Sequence, residues 1–199
     1  IRPLDDLVKK HGKGLKKNQL ITIDGKIMAV AFMANAQHLV YRKDILKKLN
    51  IDVPKTYEEM LAAAKKIRAS GLVKNPVGGA YKAGWNLAQE FNNMFIGYGG
   101  SHFKGNSAEP NVNSDAGVKA LKMMKSLSEY MNPDFLTHDS NATNAEFRAG
   151  NVAIMNMWGS RAATLVDADG VSDEVKNGMD IAGPMTVGGG KTPASTLFW

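Results

Sequence analysis

Apolar residues recur along this chain at two spacings, and the switches between them outline an alternation of helices and strands. From Thr56, the run TYEEMLAAAKKIRASG sets Met60, Leu61, Ala64 and Ile67 on one helical face, with Thr56 and Glu59 disposed as a capping box and Gly71 as the stop. A second helix starts after Trp85 and Asn86, carries Leu87, Phe91, Met94, Phe95 and Tyr98 on its apolar stripe, and ends at Gly99 and Gly100. A third, capped by Ser114 or Asp115, places Val118, Leu121, Met124, Leu127 and Met131 on a stripe that Asn132 and Pro133 close. Shorter helices are predicted over 4–16, around 43–49, and just ahead of Gly150.

Strand signals fall between them. In LITIDGKIMAVAF, Asp24 and Gly25 separate two apolar runs, which predicts a hairpin with strands near 20–23 and 26–32. Continuous apolar stretches predict buried strands over 38–41, 152–156 and 179–182, while 76–84 reads as a glycine-rich connection, 101–113 as a polar excursion or small hairpin, and 167–173 as an acidic loop. The pattern as a whole predicts an α/β fold.

The stretch 141–161, NATNAEFRAGNVAIMNMWGSR, is where this pattern meets candidate chemistry. It predicts a helix, a buried strand, and a turn into another helix that carries Trp158 and Arg161, an arrangement that sets ligand-facing side chains at the end of a sheet. The residues alone leave Trp158 open between a core aromatic and a ligand-facing one. Trp85 precedes its helix and stands outside the apolar stripe, at an end where backbone amides are free. Asn35, Gln37 and His38 sit where the chain crosses between apolar elements, and with no second ligand at metal-binding spacing His38 reads as structural.

Composition narrows the function classes. The 199 residues carry a net charge of +6, 44% hydrophobic and 22% charged residues, values ordinary for a globular chain. The lysines fall in pairs on the polar faces of predicted helices, a solvated pattern, and no nucleic-acid-binding signature accompanies them. There is no cysteine, hence no disulfide or thiolate metal site. No apolar run is long enough to cross a bilayer. Neither a phosphate loop nor a nucleophile elbow is present, and Glu90, on the same helix face as Asn86, has no second carboxyl tied to it as glycoside hydrolysis requires. No cofactor, metal or catalysis is expected.

Several short motifs, in one order, resemble those of the extracellular solute-binding proteins of ABC importers, the group that includes maltose-binding proteins. They are ProLeuAspAspLeu at 3–7, GlyLys at 25–26, LeuValTyrArgLysAspIleLeu at 39–46, ValProLysThrTyrGluGluMetLeuAlaAlaAla at 53–64 and GluPheArgAlaGlyAsnValAlaIleMet at 146–155. The resemblance implies a periplasmic-binding-protein-like (type II) lobe, a mixed sheet flanked by helices. It implies that 1–34 is a remnant of a first lobe, 35–183 a second, solute-binding lobe, and 184–199 a truncated return crossing. It further implies a carbohydrate as solute, permease subunits as partners, a periplasmic or extracellular location, and a monomer when full length. The site it implies comprises Asn35, Gln37, Trp85, Asn86, Trp158, Arg161 and Trp199, with the aromatics facing the C–H surface of a sugar and the amides and guanidinium its hydroxyls. Arg161 leaves an anionic solute open as the alternative. Where many sugar-binding members carry GlyProTrp or GlySerTrp, this chain has TrpGlySerArg, so the aromatic is displaced by about two positions and the orientation of Trp158 is left open.

Overall fold

A computed structural model of the chain describes residues 1–167, 169–188 and 196–198. They divide into two compact units, one of Ile1–Asn35 with residues 196–198 and one of Ala36–Ser195.

The first unit holds α1 (Asp5–His11) and the hairpin of β1 (Leu20–Ile23) with β2 (Lys26–Val30). Asp24 and Gly25 have φ of 49° and 73°, the pair of positive values that a two-residue hairpin turn needs. The helix is shorter than the 4–16 its composition predicts, and Gly12 is its cap residue.

The sheet of the second unit is organised by β3 (Ala34–Arg42), longer at its start than the apolar run 38–41 predicts. Asn35 and Gln37 are therefore strand positions and not loop amides. The chain continues through α2 (Lys43–Lys48), α3 (Tyr57–Ala69), β4 (Val77–Gly78), α4 (Trp85–Gly97), α5 (Asp115–Ser128), α6 (Ser140–Arg148), β5 (Ile154–Trp158), α7 (Gly159–Ala162), α8 (Asp173–Gly178), β6 (Met179–Ala182) and β7 (Thr196–Phe198). Strands follow the order β4, β5, β3, β6, with β7 also paired to β3. β5 runs antiparallel to β3 and parallel to β4, so the sheet is mixed.

β5 and the acidic stretch also differ from the sequence reading. β5 lies two residues beyond 152–156 because it pairs out to Trp158, opposite Gln37. The acidic stretch ends in α8, whose start is capped by Ser172 accepting from the Val175 amide at 3.3 Å, with Asp173 and Glu174 in the first turn.

Side chains alternate across the sheet, so Gln37, Leu39 and Tyr41 share a face with Trp158, Asn156 and Ile154. The apolar members of this face, Leu39, Tyr41 and Ile154, join Tyr57, Met60, Ala64 and Ile67 of α3, Met94 and Phe95 of α4, and Ala120, Met124 and Leu127 of α5 in one buried core. Each leucine, isoleucine, methionine or phenylalanine among them contributes about 1.5–3 kcal/mol on burial. Met155 points the other way, toward Thr143 of α6, and Gly78 leaves the room for both, since a Cβ there would stand 2.9 Å from Met155 and 3.1 Å from Thr143. At the start of α3, the Thr56 hydroxyl accepts from the Glu59 amide at 3.1 Å, but the Glu59 carboxylate reaches one residue past the cap, to the Lys55 amide at 2.7 Å.

β3 ends in Arg42, which is 2% exposed and donates to Asp44 through Nε at 2.8 Å and to Glu174 through Nη2 at 2.7 Å. One guanidinium thus ties β3 to α2 and α8. Arg42 holds the Asp44 carboxyl below its usual range, chiefly by this hydrogen bond, so the contribution of the pair is present above the ordinary carboxylate range and lost as pH falls. Arg42→Met, which keeps the apolar stem, is expected to lower stability by about 2 kcal/mol and to return Asp44 to ordinary titration. Denaturant unfolding and carboxyl NMR titration check this, and an unchanged Asp44 would mean that the ion pair is not what anchors the strand.

Candidate functional site

Trp85 and Trp158 form an aromatic pair where α4 begins and β5 ends. Their ring centroids are 6.2 Å apart and their planes inclined by 43°. Trp158 is 4% exposed and Trp85 58%, so the inner ring is a floor and the outer one stands in solvent. Gly84 makes this placement possible. Its φ of 113° with ψ of −151° belongs to a region essentially restricted to glycine, and it turns the chain so that the first helical residue projects outward.

Beneath the pair, the first half of α4 buries polar residues instead of apolar ones. Asn86, Gln89, Glu90 and Asn93 are all buried, whereas Leu87 and Phe91 of the predicted stripe are only half-buried. The polar set is held by amides from the sheet. Gln37 Nε2 donates to Glu90 Oε1 at 2.8 Å, Asn93 Nδ2 donates back to Gln37 Oε1, and Gln89 Nε2 donates to Asn93 Oδ1 at 3.0 Å. From β5, Asn156 Nδ2 donates to Glu90 Oε2 at 3.3 Å and to the Tyr57 hydroxyl at 3.4 Å. Among the described residues, Tyr81 Oη, Asn86 Oδ1 and Asn156 Oδ1 are buried without a partner.

Glu90 is 3% exposed and receives hydrogen bonds from neutral amides rather than from a cation. Burial raises its carboxyl to about 7, against the opposing effect of the Gln37 and Asn156 hydrogen bonds. The polar spacing 86, 89, 90, 93 is itself helical, and that second stripe is the signal by which Glu90, Gln89 and Asn93 could have been found in sequence; Asn156, inside an apolar run, offered only its own polarity.

The remaining predicted residues are placed as follows. Asn35 is half-buried on β3 and belongs to the first unit. Arg161, on α7, is half-buried, and its Nη1 donates to Asn141 Oδ1. Asp139 caps α6 by accepting from the Asn141 and Ala142 amides at 2.9 and 3.0 Å, and those hydrogen bonds, with the charges of Lys82 and Arg161, hold its carboxyl below the usual range. Trp199 lies outside the described residues. His38 directs Nδ1 to the Ala36 carbonyl at 3.0 Å. Among the described residues, no group of three or more His, Asp or Glu is placed to hold a metal ion, and no helix is long and apolar enough to cross a membrane.

The chain thus presents an α/β lobe with a mixed sheet, an aromatic pair of which one ring is exposed, and buried amides beside it. Residues 1–198 match the bacterial extracellular solute-binding protein family, and the chain belongs to it. A probable ABC transporter-binding protein of Deinococcus radiodurans is 31% identical over 96% of this chain and 45% of its own length. A solute-binding protein of Agrobacterium radiobacter K84, solved in complex with ribitol, superposes with a TM-score of 0.78 at 28% identity, covering 98% of this chain and 50% of that one. The maltose-bound MalE3 of T. maritima shares the fold, with a TM-score of 0.80 at 23% identity over 98% of this chain and 51% of that one. The chain spans about half the length of the relatives it matches. The family is one of transport.

Glu90 makes stability depend on pH. Its carboxyl is raised in the folded state from 4.5 to about 7, so its stabilising contribution is complete below the unfolded value and is lost as pH rises through about 7, a difference of about 3 kcal/mol. Thermal unfolding between pH 5 and 8 is expected to show the midpoint falling with rising pH, and Glu90→Gln to flatten that slope. An equal slope in the variant would place the dependence elsewhere.

Proposed function

We propose that this chain carries the carbohydrate- or polyol-binding surface of an ABC importer's solute-binding protein, with Trp85 and Trp158 as its aromatic face. The observation that carries the reading is the pair itself: an exposed indole set against a buried one, on a lobe whose polar groups nearby are amides. A pyranose or an extended polyol offers C–H surface to the ring and hydroxyls to amides and a guanidinium. Asn86 and Arg161 border this face in the proposal, Gln37 supports it from below, and Asn35 and Trp199 are further contacts carried by family resemblance.

The names of related structures support the solute class. A solute-binding protein of Agrobacterium vitis S4 with bound D-mannitol matches at 25% identity and a TM-score of 0.76, beside the ribitol complex. Arg161 is already shared with Asn141 and stands near the Asp139 charge, which favours a neutral solute over an anionic one. Delivery to permease subunits, a periplasmic or extracellular location and a monomeric state belong to the same proposal. Relatives are named periplasmic binding proteins, among them a probable sugar-binding one of Mesorhizobium japonicum that is 24% identical over 68% of this chain.

Calorimetric titration of the gene's complete product with mono- and disaccharides and polyols tests this. One class is expected to bind, and Trp85→Ala to weaken it by a factor of about ten or more, since the ring is a large apolar contact anchoring the solute. Silence across the panel, or undiminished affinity in the variant, would remove the aromatic face from the mechanism.

A further inference from the structure

Among the described residues, Glu90 is a buried carboxyl next to the candidate site that is hydrogen-bonded by neutral amides and not by a cation. Its two oxygens are divided between two strands. Oε1 accepts from Gln37 on β3 and Oε2 from Asn156 on β5. Gln37 is the register partner of Trp158, and Asn156 lies two residues before Trp158 on the same face. Glu90 itself is one turn and a half along α4 from Trp85. We propose that Glu90 is a positioning residue for the aromatic face: its carboxyl, clamped between Gln37 and Asn156, fixes how Trp85 on α4 stands against Trp158 on β5. The inference rests on the solute-binding reading for its biological meaning, but not for its test.

The surroundings make the clamp responsive to a proton. The carboxyl lines a small cavity of about 10 Å3, shared with Tyr57, Tyr81, Met94, Leu127, Met131 and Asn156, and Glu90 is itself buried. The titratable groups facing it are Tyr57 from α3 and Tyr81 from the segment ahead of α4. β3 and β5 offer the neutral amides Gln37 and Asn156, and α5 offers Leu127. An ionised Glu90 accepts from both amides, as the structure shows. A protonated one must donate at one oxygen, and Asn156 Oδ1, buried without a partner among the described residues, becomes the acceptor when the amide turns over. That turn reverses the contact with the Tyr57 hydroxyl and occurs two residues from Trp158. The clamp therefore has two settings of the Asn156 amide, selected by the protonation of the buried Glu90.

Tryptophan emission, read without any solute in a Trp199→Phe background, tests the proposal. Between pH 5 and 9 the emission is expected to shift in a single step near neutrality. Trp158→Phe should remove most of that step, and Glu90→Gln, which mimics the protonated acid, should hold the low-pH emission throughout. Glu90→Leu, which can make neither hydrogen bond, should displace the emission at every pH, while circular dichroism shows the fold intact. If Glu90→Leu fails to fold, the comparison of Glu90→Gln with the parent still decides. A step that persists in Glu90→Gln, or parental emission in a folded Glu90→Leu, overturns the inference. Failure of every sugar and polyol to bind would speak against the solute reading alone.

Discussion

The interaction on which this lobe depends is the hydrogen bonding of one carboxyl without a cation to two strands. Placing an ionisable group in the core costs several kcal/mol unless its lone pairs are met, and Glu90 meets them with amides from β3 and β5. Those bonds bring α4 against the sheet along a polar seam where an apolar one would be stronger but less particular about register. A polar seam has only one good fit, because sliding the helix by a residue would orphan Gln37, Asn93 and Asn156 together. The apolar half of α4, through Met94 and Phe95, supplies the burial, and its polar half supplies the alignment.

Alignment matters because Trp85 begins that helix. A ring that is 58% exposed and held chiefly by its backbone would wander, and ordering it on binding would consume part of the affinity. Here its position is set from three directions: the glycine-only turn at Gly84, the contact with Trp158, and the seam beneath. In the proposed binding surface the aromatic pair is thereby organised before a solute arrives.

Much of the scaffold was legible in the sequence, because its elements are marked by strong local signals. The Asp24-Gly25 turn, the Thr56 cap and the apolar stripe of α5 each follow from residues within one or two turns of chain. What local signals could not show was pairing at a distance. β3 is paired from Gln37, and β5 reaches forward to Trp158, because those two residues face each other, and nothing in either segment reveals the other. For the same reason Glu90 read only as a carboxyl on the Asn86 face of its helix with no second carboxyl tied to it. Its partners are 53 and 66 residues away, so only the fold could show that the polar side of α4 turns inward. Trp85 and Trp158 were visible as unusual residues, but their contact was not.

β3 carries two buried polar centres, and their difference separates scaffold from site. At its end, Arg42 is fully answered by Asp44 and Glu174, and Gly178 is pressed so close that a Cβ there would stand 2.4 Å from the Asp44 carboxylate. Within it Arg42 and Asp44 each favour the other's charged form, and the cluster holds α2 and α8 in one arrangement. Toward the start of the same strand, Gln37 answers Glu90 with an uncharged amide, which satisfies geometry while leaving the charge uncompensated. A carboxyl so placed lies near the balance between its two protonation states, and each state asks for a different orientation of Asn156. Where a buried charge is answered by charge the fold has one state; where it is answered by dipoles alone, beside an aromatic pair, the fold has kept two within reach.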